Sequence, residues 1–207
     1  YATLLHGHDE FKGFLALVNP RMGSKEDLAG LIRSEYAGRI CEYADIEGFI
    51  NLHPGELAYA LALIDTTDYR SITPAWVLHN FPDVENIMRL LRHTKCSEGC
   101  AYCDKSLDVH VGLKQFFGFD GFRTYEGEPL QEKARAAVEH ESLLAIFPTG
   151  GGKSLTFQLP ALMEGRAVHG LTVVISPLQS LMKDQVDNLA EKGITDAVTI
   201  NGLLDPI

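Results

Sequence analysis

A glycine-rich run that leads into lysine and serine is the part of this sequence best suited to chemistry. Glycines let several backbone N–H groups point at one anion, and a helix that begins at the lysine adds the positive end of its dipole. The lysine can reach the β- and γ-phosphates of a nucleotide, and the serine hydroxyl can ligate Mg²⁺. We therefore predict a phosphate loop that binds ATP and Mg²⁺, formed by Pro148, Thr149, Gly150, Gly151, Gly152, Lys153 and Ser154.

The loop departs from the strict pattern GxxxxGK[ST] at its first position, where Phe147 stands in place of glycine. A glycine-rich turn before an ordinary helix is the alternative interpretation. The flanking sequence favours the phosphate loop, because the apolar residues 143–147 predict a strand that enters it and residues 153–162 predict a helix that leaves it.

The elements around this loop alternate between strands and helices. Apolar runs predict further strands at residues 171–175 and 197–200, with a helix over residues 178–189 between them. Such alternation indicates an α/β fold with a parallel sheet and flanking helices. Because a parallel sheet seldom has so few strands, we expect this sequence to be part of a longer chain.

The first hundred residues or so have a different pattern. Helices are predicted near residues 57–64 and 83–91, followed by a short helix at 109–117. Beyond residue 117, where the pattern changes, residues 131–140 predict a helix before the phosphate loop. We assign residues 1–110 to an accessory region, mixed α+β or mainly α, and residues 111–207 to the phosphate-loop domain.

Three of the four cysteines lie within eight residues, in the pattern CxxxCxxC. In a reducing compartment such clustering indicates metal binding before disulfide bonding. Cys96, Cys100 and Cys103 supply three corners of a tetrahedral zinc site. We predict His93 as the fourth ligand, with His110 and Cys41 as the other options.

Two further interpretations of the cysteine group stay open. CxxxCxxC with an aromatic residue before the last cysteine, here Tyr102, resembles the iron–sulfur loop of radical S-adenosylmethionine enzymes. That fold needs a long barrel after the motif, where this sequence has its phosphate loop. The remaining interpretation is three free thiols in a reducing cell.

Three blocks stand out between about residue 111 and the end of the sequence: F-G-F-D-G-F-R at 117–123, the phosphate loop with F-Q-L-P-A-L at 157–162, and V-I-S-P-L with S-L-M-K-D-Q-V within 174–186. Together these blocks resemble the RecQ family of ATP-dependent DNA helicases. The resemblance implies part of a RecA-like motor domain with a P-loop NTPase fold. It also implies ATP-driven 3′-to-5′ unwinding in the complete protein, with single-stranded DNA or a single/double-strand junction as partner.

In that family the first block holds the adenine ring. The resemblance implies that Phe119 stacks on the base and that Arg123 contacts the nucleotide. The family's adenine-reading glutamine is displaced here, because Thr124-Tyr125-Glu126 breaks its spacing. We predict that Gln131 takes this role. The alternative is that the aromatic residues belong only to the core.

The third block implies contacts with the backbone of a tracked single strand. Polar side chains there suit phosphates, which position the strand without reading its sequence. The predicted DNA contacts are Ser176, Gln179, Ser180 and Lys183. A solvated helix start is the alternative.

Helicases of this group also use an Asp-Glu-x-His box and an arginine finger from a second motor domain. The sequence contains no such box. We therefore expect this polypeptide to bind ATP without hydrolysing it or unwinding DNA. Two function classes remain: part of a helicase whose turnover depends on further chain, and a regulatory nucleotide- and zinc-binding module that never hydrolyses ATP.

Composition and charge give further constraints on the type of protein and on its location. The net charge of −10 argues against a protein that coats nucleic acid through bulk charge. No apolar run is long enough to span a bilayer and no N-terminal stretch has a signal-peptide pattern, so we interpret the chain as cytoplasmic. Acidic residues at 45, 47, 65 and 68 could suggest a nuclease-like metal site, but we interpret them as a solvated turn.

Overall fold

The computed structural model describes residues 25–66, 73–148 and 150–200. Two residues discussed above, Thr149 and Asp68, lie outside these ranges. Within them the chain forms ten α-helices. In chain order these are α1 (Lys25–Glu35), α2 (Ile46–Leu52), α3 (Pro54–Asp65), α4 (Ala75–Asn80), α5 (Val84–Arg92), α6 (Ala101–Ser106), α7 (Val109–Phe117), α8 (Leu130–Val138), α9 (Lys153–Val168) and α10 (Gln179–Ala190).

The helices expected from apolar periodicity are confirmed. Those predicted before the glycine run correspond to α3, α5, α7 and α8, and the two predicted after it correspond to α9 and α10. Of the helices in the described ranges, none combines the length and hydrophobicity that a bilayer crossing requires.

The described chain divides into two compact units. Unit 1 comprises the described residues up to Asp108 together with Glu164–Gly170, and unit 2 comprises Val109–Met163 and the described residues from Leu171 onward. The long helix α9 therefore gives its first part to unit 2 and its last turn to unit 1. The assignment of residues 1–110 to an accessory region remains a prediction.

The core of unit 1 is organised around α5. Val84, Ile87, Met88 and Leu91 recur at spacings of three and four, and none is more than 1% exposed. This face packs against α3, where Leu57 is fully buried. Burial of each large side chain contributes about 1.5–3 kcal/mol relative to exposure, so α5 holds the neighbouring helices and the loop that follows it in place.

Unit 2 has a separate core between α7 and α9. Leu113 lies on α7, while Leu155, Leu159 and Met163 recur every four residues along α9, and all are buried. Gly112 permits a close approach, since a Cβ there would lie 2.8 Å from Sδ of Met163. This packing fixes the direction of the helix that begins at Lys153.

The three predicted strands are not formed in the described residues. Residues 143–147, 171–175 and 197–200 lack regular pairing, and Leu144, Ile175 and Val198 are 80–93% exposed. One antiparallel bridge, between Tyr125 and Glu128, occurs in the described ranges. An apolar run becomes a strand only when a neighbour takes up its N–H and C=O groups, and its composition does not specify that neighbour. The described part of the chain is therefore helical, and the sheet of the expected α/β fold is not formed in it.

Three of the acidic residues considered for a metal site lie in the described ranges, and each has a structural partner. Asp45 caps α2 by accepting a hydrogen bond from Gly48 N at 2.9 Å. Glu47 pairs with Arg33, and Asp65 pairs with Arg39, both at 2.7 Å. These contacts explain the acidic side chains without an ion.

Candidate nucleotide-binding site

A cavity of about 410 Å³ opens beside the glycine-rich loop in unit 2. It combines residues predicted to hold a base with residues predicted to hold phosphates. Its lining consists of Gly118, Phe119, Asp120, Gly121, Arg123, Gln131, Gly150, Gly152 and Leu155. The structure thus brings together the three predicted adenine contacts and two of the loop glycines.

The backbone of the loop requires glycine at two positions. Gly150 has φ 74° and Gly152 has φ 71°, the left-handed region that other residues rarely adopt. A Cβ on Gly151 would lie 2.8 Å from the carbonyl oxygen of Pro148, so this position is crowded as well. The loop then turns directly into α9, whose first residue is Lys153.

The two charged or hydroxylic groups of the loop have partners within the chain. Lys153 is exposed, and its Nζ donates a hydrogen bond to the carbonyl oxygen of Phe147 at 3.3 Å. Ser154 Oγ accepts a hydrogen bond from Gln185 Nε2 at 2.9 Å. Both groups lie where the first turn of α9 could contribute them to bound phosphates or a metal ion.

Gln131, in the first turn of α8, connects the predicted base contacts of the cavity to the glycine-rich loop. Its side chain is 2% exposed. Its Oε1 accepts a hydrogen bond from the Arg123 backbone N–H at 2.8 Å, and its Nε2 donates to the Gly152 carbonyl at 2.9 Å. A primary amide offers two donors and two acceptor lone pairs, so one donor and one acceptor site remain after these bonds.

Arg123 and Phe119 also line the cavity. The Arg123 guanidinium donates to the Gly150 carbonyl at 2.8 Å. Phe119 is 45% exposed and lies nearly parallel to Phe117 at 6.4 Å between ring centroids. Lys192 Nζ lies 5.6 Å from the centre of the Phe119 ring. An exposed aromatic face beside a cavity is suited to stacking on a base.

Tyr125 is a site residue that the sequence interpretation missed. Its hydroxyl donates a hydrogen bond to the Gly151 carbonyl, and its ring lies edge-on to Phe147. The available signal was that Thr124-Tyr125-Glu126 breaks the family's spacing and displaces the expected glutamine. Tyr125, within that stretch, supports the loop through its hydrogen bond to Gly151.

The predicted DNA contacts lie around the start of α10. Gln179, Ser180 and Lys183 are exposed in the first turns of this helix, whereas Ser176 is half-buried and donates to the Leu178 carbonyl at 3.3 Å. Gln185 on the same helix also accepts from Gln158 Nε2 at 2.6 Å. Gln185, which was not predicted, therefore links this helix to the start of α9.

A second group, in unit 1, contains all four cysteines. The Sγ atoms of Cys41, Cys96, Cys100 and Cys103 lie within 4.8 Å of one another. His93, the predicted fourth ligand, is not in this group, and neither is His110. The structure favours Cys41 instead, because the packing of α5 brings the turn after α1 beside the cysteine loop, which sequence proximity does not reveal.

The four thiols differ in their electrostatic surroundings. Burial acts to raise the pKa of Cys100, but hydrogen bonds from the backbone N–H groups of Cys103 and Glu42 and from the thiols of Cys103 and Cys96 together lower this pKa to about 7. Burial dominates at Cys41 and Cys103 and raises the pKa of each thiol.

The part of the chain that contains α8, the glycine-rich loop, α9 and α10 resembles known proteins. The family model of DEAD/DEAH box helicases matches residues 128–204. The chain is 48% identical over 88 residues to "ATP-dependent DNA helicase Q5" of Mus musculus, an alignment that covers 42% of this chain and 8% of that protein. It is 47% identical over 85 residues to "ATP-dependent DNA helicase RecQ" of Bacillus subtilis, which covers 41% of this chain and 13% of that protein.

A third relative gives the same result. "ATP-dependent DNA helicase RecQ" of Haemophilus influenzae is 49% identical over 82 residues, with 40% of this chain and 12% of that protein covered. The chain thus spans 8–13% of the length of these three relatives. No solved structure matches the chain. The family model implies a P-loop RecA-like fold that uses a nucleotide and Mg²⁺, and the matched portion of the chain is similar to ATP-dependent DNA helicases of RecQ type.

Proposed function

We propose that this chain is the ATP-binding part of an ATP-dependent 3′–5′ DNA helicase of RecQ type. The observation that carries the proposal is a single cavity lined by Phe119, Arg123 and Gln131 as well as by Gly150 and Gly152. A phosphate loop alone would suit many nucleotides. A base pocket fused to that loop suits an adenine nucleotide.

Gln131 is proposed to read the edge of adenine. After its bonds to Arg123 and Gly152, its amide keeps one N–H donor and one acceptor lone pair. Adenine presents an N6 amino donor beside the N7 acceptor, the pair that glutamine matches. Guanine presents two acceptors on the same edge, so the amide would leave one of them unpaired.

The phosphate loop and α9 are proposed to hold the phosphates. Gly150 and Gly152 turn the backbone, and Lys153 would exchange the Phe147 carbonyl for the β- and γ-phosphates. Ser154 is the residue that would ligate Mg²⁺, which when bound neutralises charge on those phosphates. The Ser154 hydroxyl suits Mg²⁺, while the Lys153 ammonium group and the two glycine turns suit a triphosphate.

The start of α10 is proposed to contact the DNA backbone. Gln179, Ser180 and Lys183 are exposed on neighbouring turns, and one Lys with neutral polar groups suits phosphate contacts without sequence preference. Through Gln185, this helix is hydrogen bonded to the phosphate-loop serine. We propose that this link relates DNA contact to nucleotide state in the complete protein.

A second candidate is a regulatory module that binds a nucleotide without hydrolysing it. The observation that favours it is the group of four cysteines in unit 1, which gives the chain a second ligand site besides the nucleotide cavity. In both cases Lys153→Ala removes nucleotide binding, so that variant alone does not separate them.

Strand separation by the natural full-length gene product tests the helicase proposal. With ATP and Mg²⁺ it should unwind a duplex that has a 3′ single-stranded tail and leave a 5′-tailed duplex intact, and Lys153→Ala should stop this. Tight ATP binding without DNA-stimulated hydrolysis or unwinding would favour the regulatory module. Unwinding from the 5′ tail would contradict the proposed direction.

A further inference from the structure

The four thiols of unit 1 lie at the sulfur–sulfur separations expected of ligands to one metal ion. All four Sγ atoms lie within 4.8 Å of one another, with Cys96 and Cys103 at 3.7 Å and Cys41 and Cys100 at 4.0 Å. Zinc–sulfur bonds of about 2.3 Å in a tetrahedron place the sulfurs about 3.8 Å apart. Both separations lie close to this value.

Backbone contacts help to position three of these thiols. The Cys41 N–H donates to the Leu91 carbonyl at the end of α5, at 2.8 Å. Cys100 is the N-cap of α6, and the Cys103 N–H points at its Sγ at 3.4 Å. Since none of Cys41, Cys100 and Cys103 is more than 6% exposed, solvent has little access to their sulfurs.

We propose that Cys41, Cys96, Cys100 and Cys103 bind one structural Zn²⁺. Four thiolates complete the tetrahedron and leave no position for water or substrate, as in structural rather than catalytic zinc sites. Cys41 precedes Cys96 by 55 positions, so the ion joins the turn after α1 to the loop between α5 and α6. Its binding free energy then contributes to the folding of unit 1.

The geometry argues against the other occupants of such a group. A disulfide places its sulfurs about 2.05 Å apart, and all four cysteines are free thiols. A four-iron cluster sits between its thiolates and holds them farther apart than one ion does. A radical S-adenosylmethionine site keeps one iron without a protein ligand, whereas the fourth thiol closes this group.

Metal analysis of the whole chain, purified under reducing conditions without added metal, tests the site. We expect about one zinc per chain, as for other closed thiolate sites. Cys41→Ser should lose this zinc, and the matched control His93→Ala should keep it. Absence of metal, iron in place of zinc, or zinc retained by Cys41→Ser but lost by His93→Ala would each overturn the proposal.

The unaltered chain provides a second test, in case Cys41→Ser does not fold. Co²⁺ exchanged into the site should give the tetrahedral absorption bands and strong sulfur-to-cobalt charge transfer of four thiolates. The band intensity of three thiolates with one nitrogen ligand would instead assign His93 or His110 and overturn the role of Cys41. This readout does not depend on helicase activity, so it stands apart from the function proposed above.

Discussion

Gly152 is the residue at which the loop and the base pocket constrain each other. Its φ of 71° favours glycine, and a Cβ there would lie 2.5 Å from Nε2 of Gln131. We expect Gly152→Ala to weaken binding of a non-hydrolysable ATP analogue at least about tenfold, because left-handed backbone costs roughly 1–2 kcal/mol in an L-residue and Gln131 must also move. Isothermal titration calorimetry measures this loss.

Gly193→Ala is the matched control for that substitution. Gly193 has φ 79°, but no other group lies near its Cβ position. The Gly193→Ala variant therefore has the same kind of backbone strain but no contact with Gln131. Equal losses of affinity in both variants would show that strain alone, rather than the contact, sets the effect.

Gln131 determines the choice of base in the proposed site. Gln131→Glu keeps an acceptor for the Arg123 N–H but places a carboxylate oxygen against the Gly152 carbonyl, where an N–H now donates. We expect affinity for ATP to fall about tenfold or more and the preference for ATP over GTP to shrink. Competition binding with both nucleotides measures the preference.

Asn188→Asp serves as the control for Gln131→Glu. It makes the same change from amide to carboxylate beside a carbonyl oxygen, that of Asp184, at an exposed position, so nucleotide preference should stay as in the unaltered chain. An unchanged preference in Gln131→Glu would contradict the role of its amide in base recognition.

At the scale of elements, the side-chain amide of Gln185 joins helices α9 and α10. Gln185 on α10 accepts from Gln158 and donates to Ser154, both on α9. Loss of two such bonds costs about 1–3 kcal/mol, so Gln185→Ala should lower the free energy of unfolding by that amount in urea. Asn188→Ala, on the same helix, loses one exposed bond to the Asp184 carbonyl and should cost less than about 0.5 kcal/mol. Similar losses in both would contradict the bridge.

Elements with local signals could be predicted from the sequence, whereas those that need distant partners could not. Helix α5 follows from the spacing of Val84, Ile87, Met88 and Leu91, because a helix makes its hydrogen bonds within its own segment. Residues 171–175 have the composition of a strand, but a strand depends on a neighbour, and none pairs with them in the described ranges.

The same difference holds for the two groups of candidate site residues. The phosphate loop is one continuous run, so its glycines could be recognised directly. Cys41 belongs with the other cysteines only because its turn is hydrogen bonded to the end of α5. Sequence proximity favoured His93, and only the packing of unit 1 distinguishes the two residues.

At the scale of the whole molecule, the sequence contains a phosphate loop but no Asp-Glu-x-His box. We expect the 207-residue chain to bind Mg²⁺-ATP without hydrolysing it faster when single-stranded DNA is added. A phosphate-release assay with and without oligonucleotide measures this, with Lys153→Ala as the background. Strong DNA-stimulated hydrolysis by this chain would contradict the expectation.

The two units have separate cores, and this separation makes the effect of metal removal predictable. The cysteine group lies in the core of unit 1, whereas the nucleotide cavity is lined by unit 2. Chelation should therefore accelerate hydrogen exchange in α5, α6 and the turn at Cys41, while affinity for an ATP analogue stays within about twofold. A parallel loss of nucleotide affinity would show that the metal supports both units, and unchanged exchange in α5 and α6 would show that it supports neither.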